Sequence, residues 1–143
     1  MTAQGKTVIN ANGLILGRMA SVVAKMLLDG DRIEIVNAEG AVVSGKRKMV
    51  IKERKEFLEV GGPTKGPFHY RRPNAIVRRT VRGMLPHRKP RGKEAYGRLK
   101  VHIGVPRDLE NVEAISLPNA TVDRLKGRYV TIGEIAKNIG WKV

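Results

Sequence analysis

The chain has 143 residues, of which 28 are lysine or arginine, 13 are aspartate or glutamate, and none is cysteine. A chain of this length can bury roughly 70% of its unfolded surface without a disulfide, so we expect a single domain over residues 1–143. The absence of cysteine excludes thiol catalysis and cysteine metal sites. The first ten residues lack the apolar core of a signal peptide, which predicts a soluble, intracellular protein without membrane contact.

The positive charge is concentrated in the middle of the chain. Residues 65–107 carry 13 basic side chains and one acidic side chain, whereas residues 1–45 and 108–143 are each balanced. A surface that is charged only for solubility normally mixes both signs. A segment with this excess of positive charge therefore predicts contact with a dense polyanion such as a nucleic acid.

The first half of the chain alternates strand and helix patterns. Residues 6–11 have the pattern of a strand, and residues 12–30 that of a helix which Gly30 ends. Residues 31–45 predict a second strand with its turn, and residues 46–60 predict a second helix. Mostly apolar strands that alternate with helices favour a parallel sheet covered by helices on both faces.

A third helix is predicted after the glycines and proline at 61–63 end the second. Pro73 can occupy its first turn, and Gly83 and Pro86 end it. The side chains that its spacing turns toward the core are Ile76, Val77, Thr80, Val81 and Met84. The arginines that lie off this stripe are Arg78, Arg79 and Arg82.

The remaining basic residues fall in a predicted loop and a predicted strand. The stretch "HRKPRGK", residues 87–93, predicts a cationic loop held by Pro90 and Gly92. The stretch "RLKVHIGV", residues 98–105, predicts a third parallel strand. The C-terminal stretch predicts a short helix ahead of Trp141.

One motif suggests nucleotide chemistry. Gly40, Gly45 and Lys46 fit the spacing G-x-x-x-x-G-K of a phosphate-binding loop. Arg47 stands where that motif needs a hydroxyl for magnesium, and no later apolar run ends in a carboxylate that could hold the metal. We therefore interpret Lys46, Arg47 and Lys48 as cations at a helix start, where free N–H groups favour an RNA phosphate.

No catalytic or metal site is predicted. His69, His87 and His102 are widely spaced and have no cysteine partner; the last is expected to be a satisfied core or interface residue. The stretch "VVSGK" lacks a glycine that a nucleophile elbow requires. Phe57 and Trp141 are expected in the core, and no aromatic cluster stands ready to stack bases. The expected mode is therefore clamping of the backbone of folded RNA.

Three stretches carry a resemblance to a known family. These stretches are "LGRMASVVAKMLLDG", "IVNAEGAVVSGKR" and "RPNAIVRRTVRGMLPHRKPRGKEAYGRLKVHIGVP". Over about residues 7–143 the chain resembles the large-subunit ribosomal protein family numbered thirteen, in its archaeal form. The resemblance implies a three-layer α/β/α, Rossmann-like fold with a four-stranded parallel sheet, to which the basic segment adds a loop and a helix. It also implies a protein of the cytoplasmic ribosome that binds large-subunit ribosomal RNA and lies beside other ribosomal proteins. Such a protein joins the particle early in assembly and needs no cofactor or small-molecule substrate.

The predicted RNA-contacting residues are basic side chains of the middle segment and of the second helix start. They are Lys46, Arg47, Lys48, Arg71, Arg72, Arg78, Arg79, Arg82, His87, Arg88, Lys89, Arg91, Lys93 and Arg98. Arg18 and Lys25, on the first helix, are secondary candidates. The alternative is a Rossmann-like nucleotide-binding or RNA-modifying enzyme on the same scaffold. That enzyme would need G-x-G-x-x-G after the first strand, where the chain has only Gly13 and Gly17.

Overall fold

A computed structural model describes the chain at residues 2–3, 6–59, 70–115 and 117–141. The strands are β1 (Thr2–Ala3), β2 (Lys6–Asn10), β3 (Arg32–Val36), β4 (Val42–Ser44), β5 (Leu99–Val101) and β6 (Tyr129–Thr131). The helices are α1 (Leu16–Leu28), α2 (Arg47–Glu59), α3 (Pro73–Gly83), α4 (Pro90–Gly97) and α5 (Ile132–Asn138). The predicted end of the second helix at 61–63 lies outside the described residues, as do Phe68 and His69.

Parallel strands form the centre of the main sheet, whose strand order is β1-β2-β3-β5. β2 pairs with β3 and β3 with β5, both in parallel, whereas the two-residue β1 pairs antiparallel with β2 at the edge. β4 and β6 form a separate antiparallel pair. The predicted α/β class and mostly parallel sheet are confirmed. The implied four parallel strands and the Rossmann-like description are not confirmed. Among the described residues three strands run parallel, and Ile115 adds an isolated parallel bridge to Ile9 of β2.

The apolar spacing of α1 places this helix on the sheet. Its buried residues are Met19, Ala20, Val23, Ala24 and Leu27. Because they recur three and four apart, they share one face, and they join Ile33 and Ile35 of β3 in the main core cluster. Gly30 ends the helix as predicted, in a left-handed conformation with φ of 103°. Neither α1 nor any other described helix combines the length and apolar character needed to cross a bilayer.

The two faces of the main sheet are covered differently. Strand side chains alternate, so Ile35 points toward the main core cluster, to which α1, α3 and α5 contribute, while Val8 and Val36 point the other way. On that second face, Val8 and Val36 pack with Leu109 from a 3-10 turn and with the loop that follows it. In the described part of the chain, a turn and a loop thus cover the face where the prediction expected a helix.

Glu34 is a buried carboxylate on this second face of the sheet. Its Oε2 lies 3.3 Å from Nζ of Lys6, and its Oε1 lies 3.0 Å from Nε2 of His102. Burial raises the pKa of Glu34, but hydrogen bonds with His102 and Lys6 outweigh burial and hold the pKa below its ordinary value. The carboxylate therefore links β2, β3 and the end of β5, and His102 is satisfied, as predicted.

We expect Glu34→Gln to be less stable than the wild type at pH 7 by about 1–3 kcal/mol, because Lys6 and His102 lose a charged acceptor. A carboxylate whose pKa is lowered by folding stabilises the fold fully when the pH is above its pKa in the unfolded chain. This stabilisation is lost as the pH falls through its pKa in the folded protein. The stability difference should therefore shrink below pH 4.5, the ordinary value for glutamate.

Urea unfolding between about pH 3 and pH 7 measures this difference. Glu110→Gln, at an exposed position, is the matched control because it also removes one carboxylate. A stability difference between Glu34→Gln and the wild type that does not vary with pH would contradict the ion-pair assignment.

Candidate nucleic-acid interface

The first described helix of the basic middle segment is α3. This helix starts at Pro73, as predicted, because proline in the first turn needs no N–H partner and the preceding Arg72 is extended. Its buried side chains include Ile76, Val77 and Val81. The prediction that Met84 faces the core is wrong: Met84 is 43% exposed, and Leu85 is buried instead. The helix has already ended there, so its spacing no longer decides which side chain turns inward.

The stretch predicted as a cationic loop is half helix. α4 starts at Pro90, since proline in the first turn favours a helix start. Gly92 is buried, and a Cβ atom there would lie 1.9 Å from the carbonyl oxygen of Pro86. Glycine at this position therefore allows α4 to approach the α3–α4 loop closely, rather than forming a turn. The loop prediction is wrong for these residues, and Arg91 and Lys93 are held on a helix.

Most of the predicted RNA-contacting cations are exposed. Six of them lie on, beside or between α3 and α4, are exposed, and have no described protein partner. They are Arg72, Arg79, Arg88, Lys89, Arg91 and Lys93. We call these six residues the α3–α4 surface. Lys46 and Lys48, at the start of α2, are also exposed, whereas Arg82 and His87 are half-buried. The secondary candidates Arg18 and Lys25 are exposed on α1.

Two predicted cations beside the α3–α4 surface have protein partners. The guanidinium of Arg78 lies over the ring of Tyr96, 4.1 Å from its centroid, and a cation in this position is attracted by the ring face. Nη1 of Arg71 donates a hydrogen bond to the carbonyl oxygen of Ile139 at 3.2 Å. Arg78 joins α3 to α4, and Arg71 joins the start of α3 to the end of α5.

Two further predicted cations are bound elsewhere in the fold. Nη2 of Arg98 donates to the carbonyl oxygen of Leu27, in the last turn of α1, where a cation also interacts favourably with the helix dipole. Nε of Arg47 pairs with the carboxylate of Glu134 on α5. Arg98, the residue at which α4 ends, is therefore held against the last turn of α1.

α2, α3 and α4 all begin at cations. The first turn of each contains no acidic residue, and Arg72 and Lys89 occupy the N-cap positions of α3 and α4. α5 differs, because Oγ1 of Thr131 accepts the N–H of Glu134 at 3.2 Å, and Glu134 is acidic. Since a helix N-terminus carries partial positive charge, the cations destabilise α2, α3 and α4 and make their N-termini favourable for an anion.

Two cations that sequence reasoning missed, Lys52 and Lys55, extend the group at α2. With Lys48 they recur four and three residues apart, so the three share one helix face. A shallow groove beside Asn138 of α5 is lined by these lysines and by Arg47. Helical spacing of the cations could have found them, but three glutamates on the same helix reduce its net charge.

The glycine motif does not form a phosphate-binding loop. The N–H of Gly40 donates to the carbonyl three residues earlier at 2.9 Å, that of Val42 donates to Leu14 at 2.8 Å, and that of Gly45 donates to Arg128 at 2.8 Å. Most of the stretch between the two glycines is strand β4, paired with β6. A phosphate loop needs such N–H groups free for the ligand, so this stretch has no cradle for a nucleotide.

The carboxyl ends of the parallel strands are also occupied by protein groups. Nucleotides bind at this edge in α/β enzymes. Here Nδ2 of Asn37 donates to Oδ1 of Asn10 at 3.1 Å, and Oε2 of Glu39 accepts the N–H of Gly104 at 2.9 Å. Within the described ranges, no group of three or more His, Cys, Asp or Glu side chains could hold a metal. The edge therefore offers an enzyme no ready nucleotide site.

The described aromatic side chains are few and differ in exposure. Phe57 is 45% exposed, so the prediction that it lies in the core is wrong. The Arg54 guanidinium lies 5.0 Å from the centroid of its ring, and burial lowers the pKa of Arg54. Trp141 is half-buried and packs against the main core cluster, and Tyr70 is exposed ahead of α3. Phe57 and Tyr70 line one pocket together with Arg54 and Arg79. Two exposed rings are fewer than the rows of aromatic side chains on which successive bases stack.

Comparisons with known proteins identify the family. A family model described as Ribosomal protein L13 matches residues 4–108. The large ribosomal subunit protein uL13 of Methanococcoides burtonii is 49% identical over 137 residues, which cover 95% of this chain and 99% of the relative. The protein of the same name from Methanosarcina barkeri is 49% identical, and the match covers 95% of this chain and 99% of the relative. That from Aeropyrum pernix is 41% identical, and the match covers 94% of this chain and 90% of the relative. This family is structural, so an enzymatic role is excluded. The chain therefore belongs to the ribosomal protein L13 family, as its resemblance predicted.

Proposed function

We propose that this protein is a structural constituent of the large ribosomal subunit that clamps folded ribosomal RNA through contacts of arginine and lysine with phosphates. Its relatives carry the name of a large-subunit protein, and residues 1–143 would act as one domain whose RNA-facing segment is 65–107. The observation that carries the proposal is the α3–α4 surface, with six exposed cations on one helix–loop–helix unit. The protein would act in the cytoplasmic ribosome, beside other large-subunit proteins, and join early in assembly.

The chemistry of the α3–α4 surface suits a phosphate backbone. Arg72, Arg79, Arg88 and Arg91 are exposed, and a guanidinium can donate two parallel hydrogen bonds to one phosphate group. Lys89, at the N-cap of α4, adds a charge where the N–H groups of the helix start also favour an anion. Folded RNA would thus be recognised mainly by its shape and backbone, since the surface has few exposed aromatic side chains for base stacking.

Salt dependence tests this proposal. Each phosphate contact contributes about 0.7–0.9 to the slope of log affinity against log salt, so the six cations of the α3–α4 surface predict a slope of roughly −4 to −5. Filter binding of the purified protein to deproteinised archaeal large-subunit ribosomal RNA measures this slope, with single-stranded poly(U) as the competitor. A slope near −1, or equal affinity for poly(U), would refute clamping of folded RNA by this surface.

A further inference from the structure

The second face of the main sheet carries a group of charges drawn from three strands. Lys6 lies beside Arg32 in the parallel register of β2 and β3, and Glu34 lies beside Lys100 in that of β3 and β5. Arg32 and Glu34 are two residues apart, so their side chains leave the same face. The 3.3 Å contact of Lys6 with Glu34 confirms that β2 contributes to this face.

These side chains line a cavity with a large surplus of positive charge. The cavity has a volume of about 200 Å³, and its charged lining consists of Lys6, Arg32, Glu34, Arg98 and Lys100. The lining thus contains four cations and one carboxylate; Lys6 pairs with this carboxylate, and Arg98 donates to the carbonyl oxygen of Leu27. Arg32 and Lys100 are exposed and take part in none of the described ion pairs. The cavity therefore retains a positive charge that no described protein group balances.

An open charged face is unusual for a parallel sheet, because such sheets are normally covered on both faces. The apolar half of this face is covered by Leu109 and the loop after it. The charged half ends in the exposed side chains of Arg32 and Lys100. Since Arg32 and Lys100 take part in none of the described ion pairs, this half is suited to an external anionic partner.

We propose that this charged face binds a second segment of ribosomal RNA backbone, separate from the segment that meets the α3–α4 surface; this inference rests on the proposed function. Protein interfaces are anchored by exposed aromatic or aliphatic side chains. The apolar residue in the cavity lining, Ile33, is fully buried and is therefore not available to a protein partner. A cavity lined by exposed cations and by no exposed apolar side chain fits a phosphate backbone better than a protein partner.

α3 and the charged face lie on opposite sides of the sheet, and the cavity of the charged face reaches the end of α4 at Gly97. α3 packs its buried side chains into the main core cluster with Ile33 and Ile35, whereas Glu34, between those residues in β3, points to the charged face. One molecule would therefore hold two RNA segments with the sheet between them. Once one segment is bound, the second binds at a high effective concentration, so the protein would fix the distance between two parts of the RNA fold.

The test uses Arg32→Gln with Lys100→Gln, because these exposed side chains can be changed without unpairing Glu34. Lys126→Gln with Lys137→Gln, at two exposed positions, removes the same charge and serves as the matched control. Lys100→Gln alone is a milder variant that leaves β3 unchanged. Hydroxyl-radical footprinting on deproteinised archaeal large-subunit ribosomal RNA, with thermal melting of each protein, provides the measurements.

The wild type should protect two separate RNA regions, and the sheet-face variant should lose one of them and keep the other. Raising salt from about 50 to 200 mM should weaken the wild type about tenfold more than this variant, which lacks two phosphate contacts. The control variant should match the wild type. Lys100→Gln alone should show about half of the change in salt slope.

A sheet-face variant with the footprint and salt slope of the control would overturn the inference. An unchanged footprint together with failure to enter reconstituted large subunits would also overturn it, because a protein would then be the partner. These outcomes are distinct from failure of the proposed function, in which the wild type itself would show a shallow salt slope and no protection.

Discussion

Charge reversal at Arg79 and Arg88 should weaken binding to large-subunit ribosomal RNA about a hundredfold or more while leaving the protein folded. Both side chains are exposed on the α3–α4 surface. Each charge-assisted hydrogen bond that is lost costs about 1.5–3 kcal/mol, and each new carboxylate repels the phosphates. Because neither residue belongs to the core, Tm should change by no more than about 2 °C. Filter binding and thermal melting of Arg79→Glu with Arg88→Glu measure the two effects.

The matched control reverses Lys126 and Lys137, which are exposed outside the basic segment. It changes net charge equally and should reduce RNA affinity far less. Arg78 is unsuitable for this experiment, because its stacking on Tyr96 would mix stability with binding. Our assignment of the interface would be wrong if the reversals at Arg79 and Arg88 unfolded the protein while folded molecules kept their RNA affinity.

Gly92→Ala should destabilise the protein by about 3 kcal/mol or more. The added Cβ atom would lie 1.9 Å from the carbonyl oxygen and 2.2 Å from the carbonyl carbon of Pro86. These are backbone atoms that cannot rotate away, so α4 would have to move from the α3–α4 loop. Urea unfolding measures the loss of stability, and RNA affinity should fall with it because Lys89 and Arg91 would be displaced.

Gly97→Ala is the control within the same helix. A Cβ atom there would meet no other heavy atom within 4 Å, and alanine favours helix over glycine, so this variant should be as stable as the wild type or slightly more stable. Equal stability of the Gly92 and Gly97 variants would show that close approach at Gly92 is unimportant.

Gly92 also shows where prediction of the fold from sequence stops. Local patterns predicted the ends of α1 at Gly30 and the start of α3 at Pro73, because both residues act through their own backbone geometry. Pro90 and Gly92 form the same kind of pattern, but Gly92 is required by contact with Pro86. A close tertiary approach leaves no local signal, so the sequence pattern predicts a loop where the structure has the start of a helix.

The candidate site was predictable to the same limited extent. Charge counts along the chain found the cations of α3 and α4, but they could not identify those with distant protein partners. Arg98 meets Leu27, 71 positions away in sequence, and Arg71 meets Ile139, 68 positions away. Conversely, Arg32 lies in a segment with balanced charge, and only the sheet register brings it near Lys100.

The cationic starts of α2, α3 and α4 have a consequence for the lifetime of the protein in a cell. Each cation at a helix N-terminus costs about 0.3–1 kcal/mol until an anion compensates it, and a ligand that binds only the folded state stabilises it by mass action. A chain that has not met its RNA should therefore open more often and be degraded faster by proteases that cleave open states. Turnover of the surplus would then match the amount of this protein to the amount of RNA available to hold it.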